Sequence, residues 1–157
     1  MKTVIVTVVS IALFTASSVF AEDDGPHDKA IKARQALMQL YSFNLGILGG
    51  MAKGEVEYDA DAATAAADNL LSAVSMNQSA MWPAGSHSED AANRKNRALE
   101  AIWTTFPEIT EKSKAMVTAA TDMQAAAGNG LDALKGAMGG AGKSCKGCHD
   151  DFRAEKK

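Results

Sequence analysis

The sequence predicts an all-α protein, an antiparallel up-and-down four-helix bundle. Apolar residues recur at three- and four-residue steps in four separate segments, and nothing beyond residue 21 alternates like a strand. The four segments are joined by short connections, which favours antiparallel neighbours.

The first stretch stands outside the bundle. "MKTVIVTVVSIALFTASSVFA" carries Lys2, an apolar run from Val4 to Phe14 and then small residues, with Val19 and Ala21 suited to a signal-peptidase site. It reads as a secretory signal, residues 1–21, cleaved after Ala21, and residues 22–157 form one domain. The run is shorter than the ~20 apolar residues a membrane-spanning helix needs. No later segment is apolar enough to span, so the mature form is expected in the periplasm with no membrane contact.

The first helix is expected from about Asp28 to Gly50, with Ile31, Met38, Tyr41, Leu45 and Leu48 on one stripe and Arg34 in the same register. "GEVEYDAD" interrupts it, and Asp59 or Asp61 suits the cap of the second helix. That helix is expected to reach Met81 through Ala67, Leu70, Val74, Asn77 and Met81. "WPAGSHSEDAANRK" is a polar loop with proline and glycine. The third helix is expected over 98–127 with Ile109, Met116, Met123 and Ala127 inward, and Pro107 marks a kink or the true first turn. "GNG" at 128–130 ends it.

The fourth helix carries the most specific signal. Leu131, Leu134, Met138, Ala141, Cys145, Cys148 and Phe152 follow one another at steps of 3, 4, 3, 4, 3 and 4. Both cysteines of the chain therefore fall on an apolar seam, and His149 lies four residues after Cys145 on nearly the same face. Gly136, Gly139, Gly140 and Gly142 weaken such a helix, and a close neighbour, a flat ligand or another backbone, would account for them.

Charge narrows the function classes. Without Lys2 the chain has 15 basic and 19 acidic residues, a net −4, which argues against nucleic-acid binding. The balance is uneven: residues 143–157 are net +2, with Lys143, Lys146, Arg153 and Lys156 among the bases.

Four readings compete for "CKGCH". A Cys145–Cys148 disulfide on a helix is strained and leaves His149 idle. A thioredoxin-like pair needs a βαβ setting that is missing. Zinc needs four ligands, and only His27 and His87 remain, both in polar stretches. Covalent haem attachment employs all three residues, with thioethers to Cys145 and Cys148 and the iron on His149. One haem c is the expected cofactor, and Trp82, Trp103, Phe106 and Phe152 are candidate pocket walls. Only eight residues follow His149, so any second iron ligand comes from upstream. Antiparallel geometry points to Met38, while Met76, Met81 and Met116 stay open.

"AIKARQALM" at 30–38, "KGE" at 53–55, "ALEAIW" at 98–103 and "CKGCHDDFR" at 145–153 resemble the class II c-type cytochromes, the cytochrome c′ family, across the whole mature chain. The resemblance implies that Arg34 meets a haem propionate, that Met38 faces the open side of the iron, and that Arg153 lies beside the proximal ligand. It also implies two branches, a low-spin His/Met electron carrier and a five-coordinate protein that binds NO or CO. Met38 points to the first, a single-electron carrier ligated by His149 and Met38; gas scavenging or sensing is the alternative. A non-haem bundle is the third reading. No nucleophile–base pair and no phosphate-binding loop suggests an enzyme. The expected partners are acidic redox proteins docking at the basic C-terminal haem edge, and a second copy through helices one and two, where Leu37, Leu40, Phe43 and Ile47 lie off the main stripe.

Overall fold

In the computed structural model, which describes residues 25–156, four long helices alternate in direction: α1 (Asp28–Lys53), α2 (Ala60–Val74), α4 (Phe106–Ala127) and α5 (Leu131–Phe152). A short helix α3 (Ala101–Thr104) and a 3₁₀ turn at Ser79–Met81 lie in the long connection between α2 and α4. The proposed signal segment lies outside the described residues. Among those described, no helix is long and apolar enough to cross a membrane.

Local chemistry sets the ends. α1 runs past Gly50 and stops at Gly54, whose φ of 75° is left-handed and whose N–H returns to the Gly50 and Met51 carbonyls. Asp59, not Asp61, caps α2 by accepting the Ala62 N–H at 2.9 Å. The α4–α5 turn passes through Gly130 at φ 102°. Tyr58 staples that turn, donating to the Ala127 carbonyl at 2.8 Å and accepting the Gly130 N–H at 3.0 Å.

Two boundaries differ from the sequence expectation. α2 ends at Val74, seven residues before Met81. Beyond it Asn77 accepts both the N–H and the hydroxyl of Ser79, so side chains replace the helical ladder and start a tighter turn. The third helix is two pieces that meet at Thr105. Pro107 has no N–H to give and sits in the first turn of α4, where the Thr105 carbonyl instead receives Glu108 and Ile109.

The core divides along the bundle. One cluster draws on all four long helices: Leu48 and Met51, Ala63, Ala66 and Ala67, Met123 and Ala127, Leu134 and Ala141. Alanines let the helices approach closely there, and each fully buried leucine contributes about 2 kcal/mol. The second cluster, toward the other end, holds Leu70, Val74 and Ala120 with Tyr41, Leu45, Leu71, Met116 and Val117. It takes residues from α1, α2 and α4 and none from α5. At that end α5 carries Cys145, Cys148 and His149.

The glycines of α5 do not serve close packing. A Cβ added at Gly136, Gly139, Gly140 or Gly142 would meet no atom within 4 Å. These positions are exposed, on the side away from the seam of Leu134, Ala141 and Phe152, so neither backbone approach nor a tight contact explains them.

Candidate functional site

The seam of α5 delivers both cysteines and the histidine to one side of the helix, each half-buried. Both thiols are free, so no disulfide competes for them. Burial raises the pKa of each above the ordinary thiol value; Lys112 acts in the opposite sense on Cys148 and Arg153 on both. Burial is also the largest reason that His149 titrates below the usual histidine value, followed by the charges of Arg153 and Arg97. These effects favour the neutral imidazole, the form that binds a metal.

α4 supplies the flanking wall. Met116 Sδ lies 3.8 Å from Cys145 Sγ and accepts the Ser144 hydroxyl at 3.2 Å. Lys112 pairs with Asp151 at 2.7 Å beside Cys148, which raises the Lys112 pKa. Phe106, 69% exposed, opens a shallow cleft with Pro107, Lys112 and Asp151 on the same side.

α1 brings Arg34 and Met38 one turn apart. Arg34 is only 3% exposed. Its guanidinium donates to the Ser86 hydroxyl at 2.6 Å, the Ser86 carbonyl at 2.5 Å, Asn96 Oδ1 at 3.2 Å and the Met81 carbonyl at 3.3 Å. It also lies over the rings of Trp82 and Trp103, 4.7 and 5.9 Å from their centroids. Burial pushes its pKa down to about 10, which leaves it cationic at neutral pH. Every one of these acceptors is neutral, so among the described residues the buried cation has no carboxylate partner. Met38 is 38% exposed, a large apolar side chain left uncovered.

Of the remaining expected residues, Arg153, Trp82 and Trp103 border the groups already described, whereas His27 and His87 stand apart from the cysteines. Arg153 is exposed just past the end of α5, where Ala98 pairs with it in an antiparallel bridge. Trp82 and Trp103 pack at 6.2 Å around Arg34, and Phe152 is buried. His27 and His87 are half-buried rather than exposed; His87 meets Glu89 at 3.1 Å and lies 6.2 Å from the Trp103 ring. Among the described residues no group of three or more His, Cys, Asp or Glu side chains is arranged to hold a metal ion.

These features fit a haem and not a bare ion. Two unpaired thiols one turn apart, an imidazole next to them that favours its neutral form, an uncovered thioether on another helix and a buried cation with no carboxylate among the described residues are what a flat, dianionic, iron-bearing ring would engage. The family model described as Cytochrome C′ matches residues 29–153. The chain belongs to the cytochrome c′ family. Its cofactor is the family's single covalently attached haem c. A relative, cytochrome c-554 of Cereibacter sphaeroides, is 40% identical over 138 residues, 88% of this chain and 89% of its own. The solved cytochrome c′ from Rhodobacter Spheriodes is 34% identical with a TM-score of 0.79, covering 83% of this chain and 98% of that one. Two solved variants of the Alcaligenes xylosoxidans cytochrome c′ are described with bound carbon monoxide (27% identical, TM-score 0.71, 85% and 100% covered) and with bound NO in the ferrous state (28%, 0.69, 81% and 94%). Another solved cytochrome c′ shows ligand-controlled dimer dissociation (25%, 0.74, 81% and 95%).

Met116, Lys112, Asn96 and Arg97 are the site-region residues whose placement the sequence did not reveal. Met116 lay on the expected α4 stripe, but its contact with Cys145 depends on how α4 and α5 are rotated against each other.

Proposed function

We propose that this chain is an exported monohaem cytochrome of the periplasm that binds NO or CO at an iron left open on one side, for gas scavenging or sensing, and that it is not an enzyme. The observation that carries this reading is the likeness to cytochromes c′ solved with bound CO and NO. Met38 is uncovered and one turn from Arg34, at the position the resemblance assigns to the open face. Bound there, haem would supply a one-electron iron centre able to take a small gas.

The chain's own residues would do the rest. Cys145 and Cys148 hold the ring by thioethers, so a loosely closed bundle end cannot lose it. His149, favouring its neutral form, offers its imidazole to the iron, and Arg153 adds positive charge on that side. Arg34 would offer its charge to a propionate while its hydrogen bonds hold the loop. The α1 face presents hydrocarbon and thioether. The Tyr41 hydroxyl is already engaged, donating to the Ala73 carbonyl at 3.3 Å and accepting from Gln78 at 2.8 Å. A gas on that face therefore meets a steric filter and no free hydroxyl.

A second reading rests on the same sulfur. If Met38 bonds the iron, the protein is a low-spin His149/Met38 carrier, and methionine favours the ferrous state and raises the potential. Acidic redox partners would then meet Lys143, Lys146, Arg153 and Lys156. Lys146 is ion-paired with Asp150, which reduces that attraction. An optical spectrum with and without CO separates the readings. A high-spin resting spectrum that CO shifts, with Met38→Ala changing only gas affinity, supports gas binding. A low-spin spectrum with a red-edge band that Met38→Ala abolishes supports the carrier.

A second copy would cover the outer face of α1. Leu40 and Phe43, 52% and 65% exposed, lie there, and Phe43 lines a groove with Gln39, Gly46, Ile47 and Val56. Of the other residues named for this contact, Leu37 is buried and Ile47 half-buried within the chain. Sedimentation measures the oligomeric state.

A further inference from the structure

The end of the bundle that carries His149 lacks a shared core. The second apolar cluster joins α1, α2 and α4 but contains nothing from α5. α4 holds α5 there through the Lys112–Asp151 pair and the Met116 contacts. α1 and α5 are joined at this end through the loop between α2 and α3.

Residues 94–97 of the loop make that junction: the Arg94 N–H donates to Asp28 Oδ1 at 3.2 Å, the Lys95 carbonyl accepts from Gln35 at 3.1 Å, and Asn96 and Arg97 carry the link on to α5. Asn96 Oδ1 accepts from Arg34 on α1 at 3.2 Å and from the Ala98 N–H at 3.0 Å, and its amide donates to the Arg94 carbonyl at 3.0 Å. Arg97 faces the other way. Its Nε donates to the Ala154 carbonyl at 2.6 Å, and its own carbonyl accepts the Ala154 N–H at 2.9 Å. Leu99 N–H then donates to the Phe152 carbonyl at 3.1 Å, so residues 97–99 zip onto 152–154. One anchor is a turn before Met38 and the other begins three residues after His149. Only one peptide step, about 3.8 Å between Cα atoms, separates them, so the connection has no slack.

We infer that Asn96 and Arg97 are positioning residues: a strap that fixes the distance between the Met38 face of α1 and the His149 end of α5, and so sets access to the sixth coordination position. This rests on the reading that His149 holds the iron and Met38 faces its open side. Weakening both links loosens α5 and its imidazole relative to α1, since the Gln35 and Asp28 contacts reach only the loop residues before Asn96, while the main core, at the other end, stays closed.

The test uses the haem-loaded full chain, with CO as the probe of the ferrous protein. Wild type, Asn96→Ala, Arg97→Ala, the double variant and Asn96→Asp are compared. Asn96→Asp keeps the acceptor for Arg34 and for the Ala98 N–H. Amide exchange at Leu99 and Ala154 reports the strap itself. The double variant is expected to exchange faster at both amides and to change CO affinity by about fivefold or more, the lower end of coupling between distinct sites. Asn96→Asp is expected to stay near wild type in both readouts. Faster exchange with unchanged CO affinity would make the strap merely structural and overturn the inference, as would unchanged exchange in the double variant. Mass and haemochrome spectra of wild type report separately on the underlying reading: a chain without thioether-bound haem defeats that reading, whatever the strap does. If the double variant fails to fold, the single variants Asn96→Ala and Arg97→Ala, each of which removes one side-chain link and keeps the backbone groups of 97–99 and 152–154, carry the same comparison.

Discussion

Arg34→Ala removes more than a charge. It strips the donors from the Ser86 hydroxyl and carbonyl, Asn96 and the Met81 carbonyl, and it empties the space over two indole rings. Ser86 is fully buried, so water cannot replace the guanidinium there without opening the loop. Two acceptors stranded at about 1–2 kcal/mol each, against a cation whose own desolvation is relieved, give a net loss of about 2–4 kcal/mol. The assay is urea denaturation of the holoprotein, followed by helical circular dichroism, with protease sensitivity of residues 84–96 as a local readout. Arg34→Lys sharpens the test. A lysine supplies the charge a propionate needs but cannot reach four acceptors in the plane of a guanidinium, so it is expected to recover less than half of the loss. Full recovery by lysine, or a loss under about 0.5 kcal/mol for alanine, would refute the claim that hydrogen bonding by Arg34 holds the loop.

Two further outcomes follow from the helix ends and from Tyr41. Asp59→Ala is expected to cost about 1 kcal/mol, measured by denaturation, because it strands the Ala62 N–H at the start of α2. Burial raises the Tyr41 pKa, an effect larger than the opposing hydrogen bond from Gln78. The unfolded chain therefore loses this proton first, at the ordinary value of about 10, and stability is expected to fall as pH rises above it until the folded pKa is reached. Tyr41→Phe should flatten that alkaline decline; an unchanged slope in wild type and variant would contradict the assignment.

The bundle and the placement of Cys145, Cys148 and His149 on one side of α5 were legible because each is a local pattern. Seven residues at three- and four-step spacing determine the seam of α5, and the thiols ride on it whatever the tertiary contacts. Pro107 and Asp59 were legible for the same reason, since a missing N–H and a capping carboxylate act within one turn. The end of α2 was not, because Val74, Asn77 and Met81 keep helical spacing while Ser79 and Asn77 satisfy each other locally. The setting of Arg34 was hidden more deeply. Its partners lie 47 to 62 residues away, in a loop without periodicity, and no spacing rule reaches Ser86 or Asn96. The α5 glycines do not mark the approach of another backbone, since weakness in a helix does not say which side is open.

One haem joined through Cys145 and Cys148 to α5 underlies every role assigned to the site. Intact mass of the exported protein after acid-acetone extraction tests it most directly. The predicted result is a red chain, residues 22–157, heavier than its sequence by one haem. A colourless chain at the bare polypeptide mass, with the pigment left in the acetone, would contradict it.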